Sequence, residues 1–388
     1  MRQISKVLIV GGGIGGLTAA VAFRRQGLEV DLVELKPEHA VHGVGIIQPG
    51  NALRALDSLG LLQTCLDAGF QVDDYVYYDE NEQPLGRIKM KRIADQNLPA
   101  VNFLPRPALH HILDSAAREA GARIRMGLTV RTVADGDARA AVTFTDGSQG
   151  DYDLVVGADG IRSEMRGRLF GEQYKPRYTG HGVWRVTVPR PEPLTYQSIH
   201  YGVGVKAGLV PLSHDSMYLL AVTNEPGNPW FEHAQLADAL KQRLAQFRGT
   251  MIPAVRDNLS ESSNIIYVPI EEVILPAPWY RGRIVLLGDA AHASAPHIAQ
   301  GASMAIEDAC VLAEESARPQ SVQQALERYM QRRYERCEFV QTFSRKLGEE
   351  GQLSDPGQCR ERNERYRQLY SGQAVLARPH ENILSAPI

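Results

Sequence analysis

Val7-Leu8-Ile9-Val10-Gly11-Gly12-Gly13-Ile14-Gly15-Gly16 is a short apolar run that breaks into glycines and then into a helical pattern reaching Gln26, with a second apolar run from Glu29 to Glu34. Strand Ile4 to Val10, helix Ile14 to Gln26 and strand Glu29 to Glu34 make a parallel β-α-β unit. Gly11, Gly13 and Gly16 supply G-x-G-x-x-G at the strand-to-helix junction. Glycine there permits a tight turn and close backbone approach to a pyrophosphate. The first helical turn, with Ile14 and Gly15, offers unpaired N–H groups and the positive end of its dipole. Glu34 closes the second strand where a carboxylate accepts hydrogen bonds from a ribose diol. A glycine turn without ligand is the alternative.

Outward from this unit the pattern changes several times. Val72 to Met90 reads as a hairpin turning at Asp79-Glu80-Asn81-Glu82, and Pro107 to Gly121 as a helix with proline in its first turn and glycine at its end. Short strands follow at 123–126, 129–134, 141–145 and 152–156. Residues 178–278 are mostly alternating strand pattern (183–188, 198–205, 217–222, 265–270), with a helical insert near 234–247. Ile284 to Leu287 then reads as a strand buried on both faces. Helical patterns occupy 303–315, 322–347 and 360–369, before an irregular tail. The fold expected is α/β: a Rossmann-like dinucleotide domain (1–70, 101–175, 281–320), an inserted sheet-rich substrate domain (71–100, 176–280) and a C-terminal helical region (321–388).

Composition narrows the function. A formal charge of −3 and the lack of any long basic stretch argue against nucleic acid. The cysteines at 65, 310, 337 and 359 show no C-x-x-C spacing, so no disulfide framework or zinc site is expected, and a reducing cytoplasm is. No apolar run is long enough for a bilayer span. Adjacent His110 and His111 point about 100° apart on a helix and make a poor metal pair, so no metal is expected.

The first motif serves FAD and NAD alike, because both carry an adenosine diphosphate half. A second signal separates them. In Arg281-Gly-Arg-Ile-Val-Leu-Leu-Gly288-Asp289-Ala-Ala-His292, a buried strand ends at an aspartate suited to a polyol such as the ribityl chain. The helix beginning near Gly301 would aim its N-terminus at an anion beyond, as a reduced flavin is. No second G-x-G-x-x-G precedes another β-α-β unit, which disfavours disulfide-reductase-type flavoproteins.

With these residues in view, the chain resembles the single-component aromatic hydroxylases of the flavoprotein monooxygenase family, relatives of 4-hydroxybenzoate, salicylate and hydroxynicotinate hydroxylases. The resemblance rests on Gly11 to Gly16, on Asp153-Leu-Val-Val-Gly-Ala-Asp159-Gly160-Ile-Arg-Ser163, and on Gly288-Asp289 with the run through Pro296-His297-Ile-Ala-Gln300-Gly301-Ala302. It departs from the family at Val44 and Gly50, where alanine and proline are common. The resemblance implies that Asp159 serves FAD and the nicotinamide cofactor and that Asp289 contacts the ribityl chain. Gln300, Gly301 and Ala302 then lie at the flavin. Arg106 matches an arginine near the cofactor, its alternative being a solvated helix-start residue. The implied reaction is hydroxylation of a small, anionic aromatic or N-heteroaromatic ring. NAD(P)H reduces bound FAD, oxygen adds at the flavin C4a carbon, and the hydroperoxide delivers one atom to the ring. The alternative is an oxidase or reductase on the same scaffold without oxygen insertion. A monomer or homodimer is expected.

For the substrate, unbroken alternation from His200 to Gly208 would put His200, Gly202, Gly204, Lys206 and Gly208 on one bare face, with Lys206 pairing a carboxylate and His200 moving protons. A solvated face is the alternative. Tyr201 and Tyr218 are further candidate donors. His297, after Pro296, is the leading candidate for proton relay or substrate orientation, with a capping role as its alternative. His292 reads as structural.

Overall fold

The N-terminal unit forms where its pattern places it in a computed structural model that describes residues 4–38, 43–92, 98–370 and 383–388. Lys6–Val10 sits inside a six-stranded sheet ordered Tyr280–Arg281, Ile284–Leu286, Leu154–Gly157, Lys6–Val10, Glu29–Glu34, Arg123–Met126. All neighbours are parallel except the edge pair Tyr280–Arg281 with Ile284–Leu286. Val7, Leu8 and Ile9 are fully buried, as a central parallel strand covered on both faces requires. Helices Ile14–Arg25 and Gly301–Ala317 pack on one another over this sheet. Residues 152–156 are not one strand. Asp153 leaves the ladder to accept the N–H groups of Ser5 and Lys6, each at 2.9 Å, separating Gln149–Tyr152 from Leu154–Gly157.

The second large sheet has seven strands, ordered Ile266–Glu272, Arg177–Pro189, Ser216–Asn224, Val205–Pro211, Gln197–Tyr201, Asp74–Asp79, Pro84–Lys89. Here one expectation fails. Residues 198–205 form no continuous strand: the chain turns over at Gly202-Val203-Gly204, where Gly204 has φ +67, a left-handed geometry that glycine tolerates. The two strands pair antiparallel, with Tyr201 opposite Lys206 and His200 opposite Ala207. Lys206 and His200 therefore point to opposite faces of the sheet. Helices Gly50–Ser58, Leu62–Asp67 and Met251–Arg256 were not foreseen, because short segments carry too few turns for a period to show.

Helix Val322–Gly351 begins at a capping box, Ser321 and Gln324 each taking the other's backbone N–H. Helix Pro356–Tyr370 lies against strand Pro84–Lys89. The tail expected beyond 369 falls mostly outside the described residues. Helix Val322–Gly351 is fastened to helix Gly301–Ala317 by buried charge. Arg333 donates to Asp308 and Glu307, each at 2.7 Å, and Arg336 holds both oxygens of Glu307 at 2.8 Å. No described helix is long and apolar enough to cross a membrane.

Candidate active site

Two helix N-termini beside the parallel sheet have no side-chain cap among the described residues. Helix Ile14–Arg25 starts after Gly13 with no side-chain cap and no acidic residue in its first turn. A Cβ at Gly13 would meet nothing within 4 Å, whereas one at Gly16 would overlap the Gly11 carbonyl and one at Gly15 would lie 2.8 Å from Leu287. The turn is thus closed on the protein side and open on the other. Ile14 is buried beneath it. Glu34 stands at its side, Oε2 accepting the Gly12 N–H at 2.7 Å and Oε1 that of Lys36 at 3.0 Å. The second terminus, of helix Gly301–Ala317, also lacks a side-chain cap and first-turn acid. Asp289 is exposed beside it, one carboxylate oxygen 4.0 Å from where a Gly301 Cβ would sit. Asp308 accepts the Gly288 N–H at 3.1 Å and fixes that strand end. Ala302 packs on the core from the first turn.

These residues fit FAD. One open N-terminus with Glu34 suits an adenosine diphosphate half, and the other, with Asp289, suits a ribityl chain and an anionic ring. Two expected cofactor residues have their side chains held by protein partners. Asp159 turns its carboxylate to Ser163 Oγ at 2.6 Å and to the Met165 N–H at 3.0 Å, shaping the loop before helix Glu164–Phe170. Gln300 spends its side chain on Asn51, in a reciprocal amide pair of 3.0 and 3.1 Å. Arg106 opens helix Arg106–Glu119, its backbone N–H on the Val44 carbonyl and its stem along Gly43. Arg185, which the sequence did not single out, has no hydrogen-bond or ion-pair partner among the described residues. Burial pulls its pKa down, Tyr218 opposes this, and Arg106 adds to it.

Between the seven-stranded sheet, the 296–300 loop and the last two long helices lies a cavity of about 850 Å³. Lys206 and His297 meet in its wall, Lys206 Nζ 3.3 Å from His297 Nδ1. Burial, with Arg362 nearby, brings the Lys206 ammonium down to about 8. Burial also drives His297 well below an ordinary histidine, and Lys206 and His181 push the same way. His297 is therefore the neutral acceptor of the pair. Gln197 lines the same cavity with its Oε1 buried and without a hydrogen-bond partner among the described residues, a feature that no spacing announces.

His200 is not in the site. It lies on the other face, stacked on Tyr78 at 4.9 Å, edge-on to Phe247 and 3.1 Å from Ser198 Oγ, and burial brings it down to about 4. It is a core imidazole, because the turn at 202–204 reverses the strand that was read as continuous. Tyr218 does not line the cavity either. Its ring packs against Gly45, and burial pushes its hydroxyl up to about 12 against the pull of Arg185. His292 is buried, 2.6 Å from Asp308. Burial disfavours its charge, but Cys337 and Asp308 raise it well above an ordinary histidine. His292, Asp308 and Cys337 bring ligand-type atoms within 4.8 Å of one another, yet Arg333 already supplies the cation at Asp308.

A family model described as FAD binding domain matches residues 5–344. The putative FAD-dependent monooxygenase YetM of Bacillus subtilis is 34% identical over 354 residues, covering 90% of this chain and 95% of the relative. A 2-heptyl-3-hydroxy-4(1H)-quinolone synthase of Pseudomonas aeruginosa is 34% identical over 356 residues, covering 90% of each. Among solved structures, Klebsiella pneumoniae HpxO complexed with FAD and uric acid superposes with a TM-score of 0.86 at 24% identity, covering 100% of this chain and 98% of that one, a likeness of fold.

Proposed function

The chain belongs to the FAD-dependent monooxygenases that hydroxylate aromatic rings, and from that premise we propose that it uses NAD(P)H and oxygen to hydroxylate a small ring, aromatic or N-heteroaromatic, that carries an acidic group. The observation that carries the substrate reading is the Lys206–His297 pair in the cavity wall. When bound, FAD supplies the reduction by nicotinamide and the activation of oxygen. The protein's part is to place the ring and keep water away. Neutral His297 accepts one N–H of the Lys206 ammonium, leaving two donors for a substrate oxyanion. Low water access strengthens that contact. The quinolone in the name of the Pseudomonas relative supports a heteroaromatic ring as one candidate.

Anaerobic reduction of the yellow protein by NADH and by NADPH, with and without hydroxybenzoates, hydroxypyridines and hydroxyquinolines, tests the reading. A ring compound that greatly accelerates flavin bleaching is the expected result. Equally fast bleaching without any ring would replace the hydroxylase by a reductase or oxidase.

Lys206→Met should raise KM for a carboxylate-bearing ring roughly ten- to a hundredfold, the loss of a charge-assisted contact of about 1.5–3 kcal/mol, with kcat little changed. The pH profile carries its own sign. Lys206 is cationic below its pKa of about 8, so kcat/KM for a substrate already anionic at pH 6 should fall as pH rises through about 8. Steady-state profiles of wild type and Lys206→Met check this, and an unchanged alkaline limb in the variant would remove Lys206 from the role.

A further inference from the structure

The cavity is larger than a single ring requires, and its shape is uneven. One end is lined by Pro49, Gly50, Asn51 and the loop from Pro296 to Gln300, which leads into helix Gly301–Ala317. The other end is built from strands Asp74–Asp79 and Pro84–Lys89 and from helix Pro356–Tyr370. None of these three belongs to the parallel sheet or its covering helices, so the dinucleotide does not account for that end.

Strand register shows how the two ends connect. Lys206 pairs with Tyr201, Ile199 with Tyr77, and Tyr75 with Ile88. Side chains alternate, so Lys206, Tyr201, Ile199, Tyr77, Tyr75 and Ile88 share the face that floors the cavity. From the strand of Lys206 to that of Ile88 there are three inter-strand steps, roughly 14 Å. Among these six floor residues Lys206 supplies the cation, and the others are aliphatic or aromatic.

The wall above the far end is mostly aromatic, with the charged Arg87, Lys91 and Arg365 also on the cavity lining. Tyr77 stacks on Tyr201 at 6.3 Å and on Tyr370 at 5.4 Å, and Tyr366 meets Tyr201 edge-on at 5.3 Å. Leu369, 44% exposed, also lines the cavity and marks an exposed part of its rim. Ion pairs Glu350–Arg365 and Asp79–Arg367 flank that rim. Aromatic and aliphatic side chains of this kind gain packing contacts when a ligand's apolar atoms lie against them.

We propose that the substrate is amphiphilic: its ring presents an acidic group to Lys206 and His297, and an apolar side chain longer than the ring lies over Ile199, Tyr77 and Ile88 towards Leu369 and Tyr370. This rests on the hydroxylase reading and adds the side chain to it. The arm reads length, because each methylene it covers leaves water, while the lysine reads charge.

The test titrates the FAD-loaded protein with two series, 2-hydroxybenzoate with its 6-alkyl homologues and 4-hydroxyquinoline with its 2-alkyl homologues, from methyl through propyl, pentyl and heptyl to nonyl. Binding is followed by the perturbation of flavin absorbance. For at least one ring the Kd should fall roughly fourfold per methylene, the equivalent of about 0.8 kcal/mol, and level off once the arm is full. Ile88→Trp, on an edge strand, should abolish the gain from the long chains, read as the ratio of the bare-ring Kd to the heptyl Kd. If that variant fails to fold, the wild-type series decides alone. If every ring that binds does so with a Kd indifferent to chain length, the side chain is overturned and the hydroxylase reading stands. If no ring in either series perturbs the flavin or accelerates its reduction, the hydroxylase reading falls and the side chain with it.

Discussion

Gly13→Val is expected to give a folded, colourless protein. A Cβ at this position meets no protein atom within 4 Å, and φ −78 with ψ −175 is extended backbone that valine adopts readily. The substitution therefore adds a side chain only to the space in front of the first helix N-terminus. With the pyrophosphate held in that space, as proposed, a valine there would break its charge-assisted bonds from the backbone N–H groups. FAD affinity should drop on the order of a hundredfold or more, while circular dichroism and the urea midpoint of the apoprotein stay at their wild-type values. Gly16→Val makes the contrast: its Cβ would overlap the Gly11 carbonyl, so it should lower stability as well. A yellow Gly13→Val protein with wild-type FAD affinity would place the pyrophosphate elsewhere.

The dinucleotide half was legible in the sequence because its signals are local. A buried parallel strand reads as an uninterrupted apolar run, and the glycines, helix and Glu34 follow within one β-α-β unit. The substrate half was legible only in part. Lys206 and His297 were each singled out, but their contact joins residues 91 apart and needs the tertiary fold to appear. His200 was misplaced for a definable reason. Alternation fixes a face only while the strand continues, and the turn at Gly202-Val203-Gly204 resets the phase, sending His200 into the core between Tyr78 and Phe247. Gln197 and Arg185 leave no trace in spacing, since what marks them is an unpartnered polar group in a folded interior. Arg333 and Arg336 fall in the helical pattern at 322–347, which by itself does not mark them as buried. Their burial shows only when Glu307 and Asp308 of the neighbouring helix are set opposite them.

That last group carries the largest stability effect. Arg333→Met should cost about 3–5 kcal/mol, read as a lower urea midpoint, because it removes one partner of a buried ionic network and leaves the others desolvated. Asp308 keeps His292 at 2.6 Å and Glu307 keeps Arg336 at 2.8 Å, but each loses a 2.7 Å bond to a cation that solvent does not reach. The acid limb supplies a second readout. Burial raises the Asp308 carboxyl, yet His292 and Arg333 more than offset this and bring it to about 2, below its ordinary value. A carboxylate held low contributes stability that is complete above its unfolded pKa and is lost as pH falls towards the folded one. Without Arg333 the folded pKa rises, so acid unfolding should begin at a higher pH than in wild type. The network also reaches the ligand loops, through Asp308 to the Gly288 N–H and through Glu307 to Asn51 and Gln300. Saturating FAD should accordingly restore part of the urea midpoint of Arg333→Met, since a ligand that binds only the native state stabilises it by mass action. The two variants thus separate cause from consequence: Gly13→Val loses flavin from a sound fold, and Arg333→Met loses the fold first and regains it in part with flavin. A wild-type urea midpoint and acid limb in Arg333→Met would show that the buried charges are replaceable by packing alone.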